Sequence, residues 1–113
     1  MNDKIGVFLL DDHEIVRRGV ANLIDQEPDM RVVGEAGVAT GAAELIIASG
    51  ARVALLDGRL PDGRGMDVCR DVKSENPTVG CLILTSFDDD DAVLAAMLAG
   101  ANGYLRKEVR ASG

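Results

Sequence analysis

What most constrains this chain is a series of short apolar runs with no polar alternation inside them. Residues 5–10 read IGVFLL and residues 53–56 read VALL. A strand with one wet face alternates, so an unbroken run marks a strand buried on both faces. Residues 31–36, 81–85 and 103–106 supply further short strands. Between the first two, Ile15, Val16, Gly19, Val20, Leu23 and Ile24 recur at helical spacing, which turns Arg17, Arg18 and Asn22 outward; Pro28 lies beyond. Thr40 is placed to cap a helix running to Ser49, with Gly50 at its end. A helix over 65–75 puts Met66, Cys69 and Val72 on one face, and another spans 88–99. Strand and helix alternate over short connections, which implies right-handed crossovers. The expected fold is α/β, a doubly wound parallel five-stranded sheet with helices on both faces.

Composition narrows the function. The 113 residues suffice for one domain. A net charge of −7 argues against direct nucleic-acid binding and against an anionic membrane surface. The apolar run near the N-terminus is too short for a signal peptide, and no run reaches transmembrane length, which points to the cytoplasm. Cys69 and Cys81 lack metal-motif spacing and read as buried reduced thiols.

Open parallel sheets bind ligands beyond the carboxyl ends of their strands. That rule ranks the polar residues. Asp11 and Asp12 end the first strand, Asp57 the third, Thr85 and Ser86 the fourth, and Lys107 follows the fifth. Carboxylates held together repel one another. A hard divalent cation relieves this, and a sparse all-oxygen site suits Mg²⁺. Mg²⁺ can bridge a carboxylate and a phosphoryl group, with Lys107 and Thr85 serving other phosphoryl oxygens. One carboxylate is then left as a nucleophile that forms an acyl phosphate. Gly58, Gly63 and Gly65, in the turn after Asp57, let backbone groups approach an ion closely.

The stretches LLDDHEIVRRG, LLDGRLPDGRGMDVC, LILTS and LAGANGYLRK, in this order, resemble the receiver domains of bacterial two-component response regulators. DDHEIVRRG and the LPDG turn resemble the NarL/FixJ-type subgroup, whose members carry a LuxR-type helix-turn-helix output domain, and within it actinobacterial regulators of dormancy and low-oxygen responses. The resemblance covers nearly the whole chain. It implies a flavodoxin-like receiver fold over 1–107, with 108–113 a linker start or truncated last helix. By the same resemblance Asp57 is the phosphoacceptor, Asp12 a direct Mg²⁺ ligand, Asp11 its water-linked neighbour, and the Arg59 backbone carbonyl a further ligand. Thr85 is the switch hydroxyl, Ser86 the small residue beside it, Tyr104 the aromatic that moves with it, and Lys107 the family's lysine. The implied partners are a sensor histidine kinase and a C-terminal DNA-binding domain. A receiver assists its own phosphorylation and dephosphorylation without being a turnover enzyme.

Rival readings stand beside these. Asp57 could merely cap a turn, and Tyr104 reads equally as a half-buried strand aromatic. His13 reads as a surface or N-cap neighbour rather than a ligand. The acids at 88–91 favour a helix N-terminus rather than a second metal site. Met30, Met66 and Met97 read as packing residues. An aspartyl-phosphate phosphatase of the haloacid-dehalogenase type would place a D-x-D pattern on the first strand, where this chain has DDHE. A flavodoxin-like FMN domain would need a hydroxyl- and glycine-rich loop there instead.

Two expectations concern the C-terminal end. Glu108 follows Lys107 where many receivers have proline, so a trans peptide is expected, because a non-proline cis bond costs ~3 kcal/mol; Lys107 would then point away from Asp57. Six residues after Lys107 are too few for a docked fifth helix. The fourth and fifth strands would then expose Leu82, Leu84 or Leu105, and a homodimer is expected to cover that face.

Overall fold

The computed structural model describes residues 4–86 and 100–107, with the backbone alone for 85, 86 and 103–107. The elements run β1 (Ile5–Leu10), α1 (Glu14–Asp25), β2 (Met30–Ala36), α2 (Ala42–Ser49), β3 (Val53–Asp57), β4 (Arg59–Leu60), β5 (Gly63–Arg64), α3 (Gly65–Glu75), β6 (Gly80–Ser86) and β7 (Gly103–Lys107). Five strands form one parallel sheet in the order β2-β1-β3-β6-β7. The order reverses at β1, between β2 and β3, so the carboxyl ends of β1 and β3 lie side by side at the switch point. The helix expected at 88–99 and the segment 108–113, with the Lys107–Glu108 peptide, lie outside the described residues.

Strand alternation divides the core between two helical layers. Phe8 and Leu10 of β1, Ala54 and Leu56 of β3, and Cys81 and Ile83 of β6 pack with α2 and α3 through Ala42, Ile46, Val68, Cys69 and Val72. The opposite residues, Val7 and Leu9, pack with Ala21 and Ile24 of α1. Each fully buried Val, Leu or Ile contributes about 1.5–3 kcal/mol, and Leu10, Ile46, Leu56, Val72 and Ile83 are all in that state. Cys69 and Cys81 are buried and form no disulfide, as expected. A hydrogen bond with Cys69 and burial push the Cys81 thiol above its ordinary range. Met66 is buried and Met30 packs at the core margin, both as packing residues. Of Leu82, Leu84 and Leu105, among which exposure was expected, Leu82 and Leu84 are half-buried and the Leu105 side chain lies outside the described residues.

Three local readings need correction. The inward stripe of α1 is Arg17, Val20, Ala21 and Ile24, while Ile15 is 87% and Leu23 66% exposed. The helix is turned so that Arg17 faces β2, where its Nε donates to Glu35 Oε1 at 3.1 Å. Thr40 does not cap α2. The helix starts at Ala42 after Gly41, whose φ of 77° is a left-handed conformation that glycine adopts without strain. The turn after Asp57 is itself a small antiparallel hairpin, β4 with β5.

Gly65 opens α3 against the end of β3. A Cβ there would lie 2.1 Å from the Asp57 carbonyl oxygen and 2.9 Å from its carbon. Backbone cannot yield as a side chain can, so α3 would have to move off the sheet. Gly65→Ala should cost about 1–3 kcal/mol or more, read as a lowered urea midpoint. An unchanged midpoint would show that the helix has room to shift.

Candidate cation and phosphoryl site

The β1 end is built by hydrogen bonding past the strand. The Asp11 N–H donates to the Ala36 carbonyl at 3.0 Å, carrying the β2 ladder one residue further. Asp11 is 4% exposed, and its Oδ1 accepts the His13 N–H at 2.8 Å, a local Asx turn. The turn sets Asp12 at the surface and starts α1. The Arg17 guanidinium donates to the Asp11 carbonyl and to Glu35, so one side chain ties the β1 end, α1 and the β2 end together. His13 occupies the N-cap position of α1 but makes no side-chain cap. Its ring turns instead to the acids: Nδ1 lies 3.1 Å from Asp11 Oδ1, 3.2 Å from Asp12 Oδ1 and 3.9 Å from Asp57 Oδ2. The sequence reading placed His13 correctly along the chain and missed this association.

At the β3 end, Asp57 is the last strand residue and is 5% exposed. The Arg59 N–H donates to Asp57 Oδ1 at 3.4 Å. The Gly58 N–H donates to the Leu84 carbonyl at 2.7 Å, and the Gly65 N–H to the Gly58 carbonyl at 3.2 Å. The hairpin tip is latched by Asp62. Its carboxylate accepts the Ala39 N–H at 2.7 Å, the Thr40 N–H at 2.8 Å and the Thr40 hydroxyl. Asp62 was not singled out from the sequence, and Arg17 was read there as turned outward. The Pro-Asp-Gly turn was the available signal for Asp62; Arg17 had none, because its partners are a backbone carbonyl and a distant glutamate.

The two ends meet. One donor atom each from Asp11, Asp12, His13 and Asp57 lie within 4.8 Å of one another. The register extends the edge further: Asp57 pairs with Leu84, so Thr85 follows at the end of β6, opposite Arg106, and Ser86 is opposite Lys107. Tyr104 is opposite Ile83, deeper along the strands. The side chains of Thr85, Ser86, Tyr104 and Lys107 lie outside the described residues. Three carboxylates, two of them buried, form a donor set that fits a hard divalent cation.

A family model described as the response regulator receiver domain matches residues 7–112. The DNA-binding transcriptional activator DevR/DosR of Mycobacterium tuberculosis is 50% identical over 106 residues, covering 94% of this chain and 49% of that protein. The structure of the signal receiver domain of the putative response regulator NarL from Mycobacterium tuberculosis superposes with a TM-score of 0.87 at 35% identity, over 96% of this chain and 87% of that one. A LuxR-family two-component response regulator from Aurantimonas sp. SI85-9A1 gives 0.85 at 32% identity, over 93% and 75%. The chain belongs to the response regulator receiver domain family, and it is a receiver of the LuxR-type two-component regulators. The phosphatase and flavin readings fall with that match. The chain spans about half the length of the curated relatives it matches.

The Asp62 latch predicts a pH dependence. The Thr40 hydroxyl, then the Ala39 and Thr40 amides, hold the Asp62 carboxyl at about 2, below its ordinary 3.8. A depressed acid contributes stability above its unfolded pKa and loses it as pH falls through the folded one. The latch should therefore be intact above pH 3.8 and release as pH falls through about 2. The amide proton shifts of Ala39 and Thr40 should titrate with a midpoint near 2. A midpoint near 3.8 would mean that the latch is not formed in solution.

Proposed function

We propose that Asp57 accepts a phosphoryl group from the phosphohistidine of a sensor kinase. The observation that carries this is the burial of Asp57 at a strand end with Asp11 and Asp12 carboxylates gathered on it. A phosphoacceptor must be nucleophilic yet shielded, and its neighbours must hold the countercharge. In the step, an Asp57 carboxylate oxygen forms a bond to phosphorus, the phosphorus–nitrogen bond breaks, and the kinase imidazole leaves. Asp11, Asp12, Asp57 and the Arg59 carbonyl would hold Mg²⁺. When bound, Mg²⁺ neutralises charge on the transferring group. The Arg59 amide, donating to Asp57 Oδ1 at 3.4 Å, helps to fix the orientation of the carboxylate. Hydrolysis would return the Asp57 carboxylate and inorganic phosphate as water takes the phosphorus, so the domain assists both steps.

Thr85 and Lys107, which the strand register carries to the ends of β6 and β7, would contact the phosphoryl group, and the small Ser86 would leave room beside Thr85. Movement of Thr85 toward the new anion, with Tyr104 following, would re-aim the surface beside β7 as a bistable switch. In the whole protein this switch would drive a helix-turn-helix output domain and dimerisation. The exposed Ile15, two residues after His13, offers an apolar contact for the kinase next to the site. A concavity of about 550 Å³ is lined by Ala43, Ile47, Ala48 and the acids Glu44, Asp71 and Glu75, and shares no residue with the acidic cluster. A shallow edge site suits a group delivered by a partner better than an engulfed small substrate.

Acetyl phosphate with Mg²⁺ tests the reading. The chain should gain the mass of one phosphoryl group, and Asp57→Asn should gain none. Asp12→Ala should slow the gain by about 10²-fold or more, since a charge-stabilising partner is lost. Labelling of Asp57→Asn equal to that of the parent would move the acceptor elsewhere.

A further inference from the structure

The acids are not the whole donor set. His13 Nδ1 stands 3.1, 3.2 and 3.9 Å from oxygens of Asp11, Asp12 and Asp57. Six donors around a cation at about 2.1 Å would be about 3.0 Å apart when adjacent and about 4.2 Å when opposite. All three separations fall in that window, so the ring nitrogen is already placed as a ligand atom among the carboxylates. Among the described residues the ring makes no helix cap and bonds only the acids, and its side chain is 63% exposed. In the metal-free chain Nδ1 donates to the Asp11 carboxylate; with that proton displaced, or carried on Nε2 in the other tautomer, the Nδ1 lone pair faces the ion without repacking.

We infer that His13 is a nitrogen ligand of the cation site and makes it selective for imidazole-accepting transition divalent cations, of the Co²⁺ and Zn²⁺ class, over Mg²⁺. An all-oxygen site already holds those ions somewhat more tightly than Mg²⁺. One imidazole adds affinity only for the softer class, since Mg²⁺ holds nitrogen poorly and keeps its waters. The receiver could therefore be loaded by either class of ion, with the balance set by a residue that the phosphoryl chemistry does not need. This rests on the reading of Asp11, Asp12 and Asp57 as a cation site.

His13 is the sole histidine of the chain, so its ring resonances are assigned without ambiguity. Titrating the untagged full chain with Co²⁺ should displace those ring proton signals strongly and bring up a visible d–d absorption. His13→Asn should weaken Co²⁺ binding by roughly tenfold or more while changing Mg²⁺ binding less than about twofold. Asp12→Ala, as a control, should weaken both. Ring signals unmoved by Co²⁺, or equal losses of Co²⁺ and Mg²⁺ in His13→Asn, would overturn the inference while leaving the oxygen site standing. Failure of the parent chain to bind either ion would overturn both. The ring displacement is measured on the parent chain, so it does not depend on the variant folding.

Discussion

Repulsion among carboxylates is the interaction around which this domain is organised. Sheet pairing of β1 with β3 forces Asp11, Asp12 and Asp57 to one edge, and two of them are nearly stripped of solvent. Charge in such surroundings is expensive unless it meets donors or a counter-ion. Backbone amides of His13 and Arg59 and the His13 ring supply part of the offset. A divalent cation is suited to add to that offset. The same crowding that raises the energy of the metal-free domain makes it responsive: adding or removing one anion or cation changes the balance at this edge.

Such a site works only if its two halves cannot relax apart. Arg17 fixes the β1 half by bonding the Asp11 carbonyl while paired with Glu35. Asp62 fixes the β3 half by tying the β4–β5 hairpin to the loop before α2. Gly65 lets α3 begin in contact with the Asp57 backbone. These are devices of the loops, and they hold positions that the strands alone would leave free.

That division explains what was legible in the sequence. The sheet was legible, because IGVFLL and VALL are short unbroken apolar runs alternating with helical patterns, whereas the order β2-β1-β3-β6-β7 was read only from the structure. Asp11, Asp12 and Asp57 were legible as strand-end acids, and Thr85, Ser86 and Lys107 take the expected edge positions by register. The rotation of α1 was not legible. Ile15 and Leu23 outweigh Arg17 in any apolar count, yet Arg17 faces inward because its hydrogen bonds to Glu35 and the Asp11 carbonyl exist only once β2 lies beside β1. Thr40 failed as a cap for a similar reason: Asp62, more than twenty residues on, takes its hydroxyl. The His13 ring was missed because its turn toward Asp11 and Asp12 is a choice of side-chain rotamer, which leaves no mark in the sequence.

The account rests on the claim that the clustered carboxylates destabilise the domain until a cation joins them. Urea unfolding of the parent chain and Asp12→Asn, each with chelator and with millimolar Mg²⁺, tests it most directly. Removing one charge should leave Asp12→Asn at least as stable as the parent in chelator. Mg²⁺ should then stabilise the parent by mass action and reverse the order. A variant less stable than the parent in chelator, together with no Mg²⁺ effect on either chain, would contradict the account.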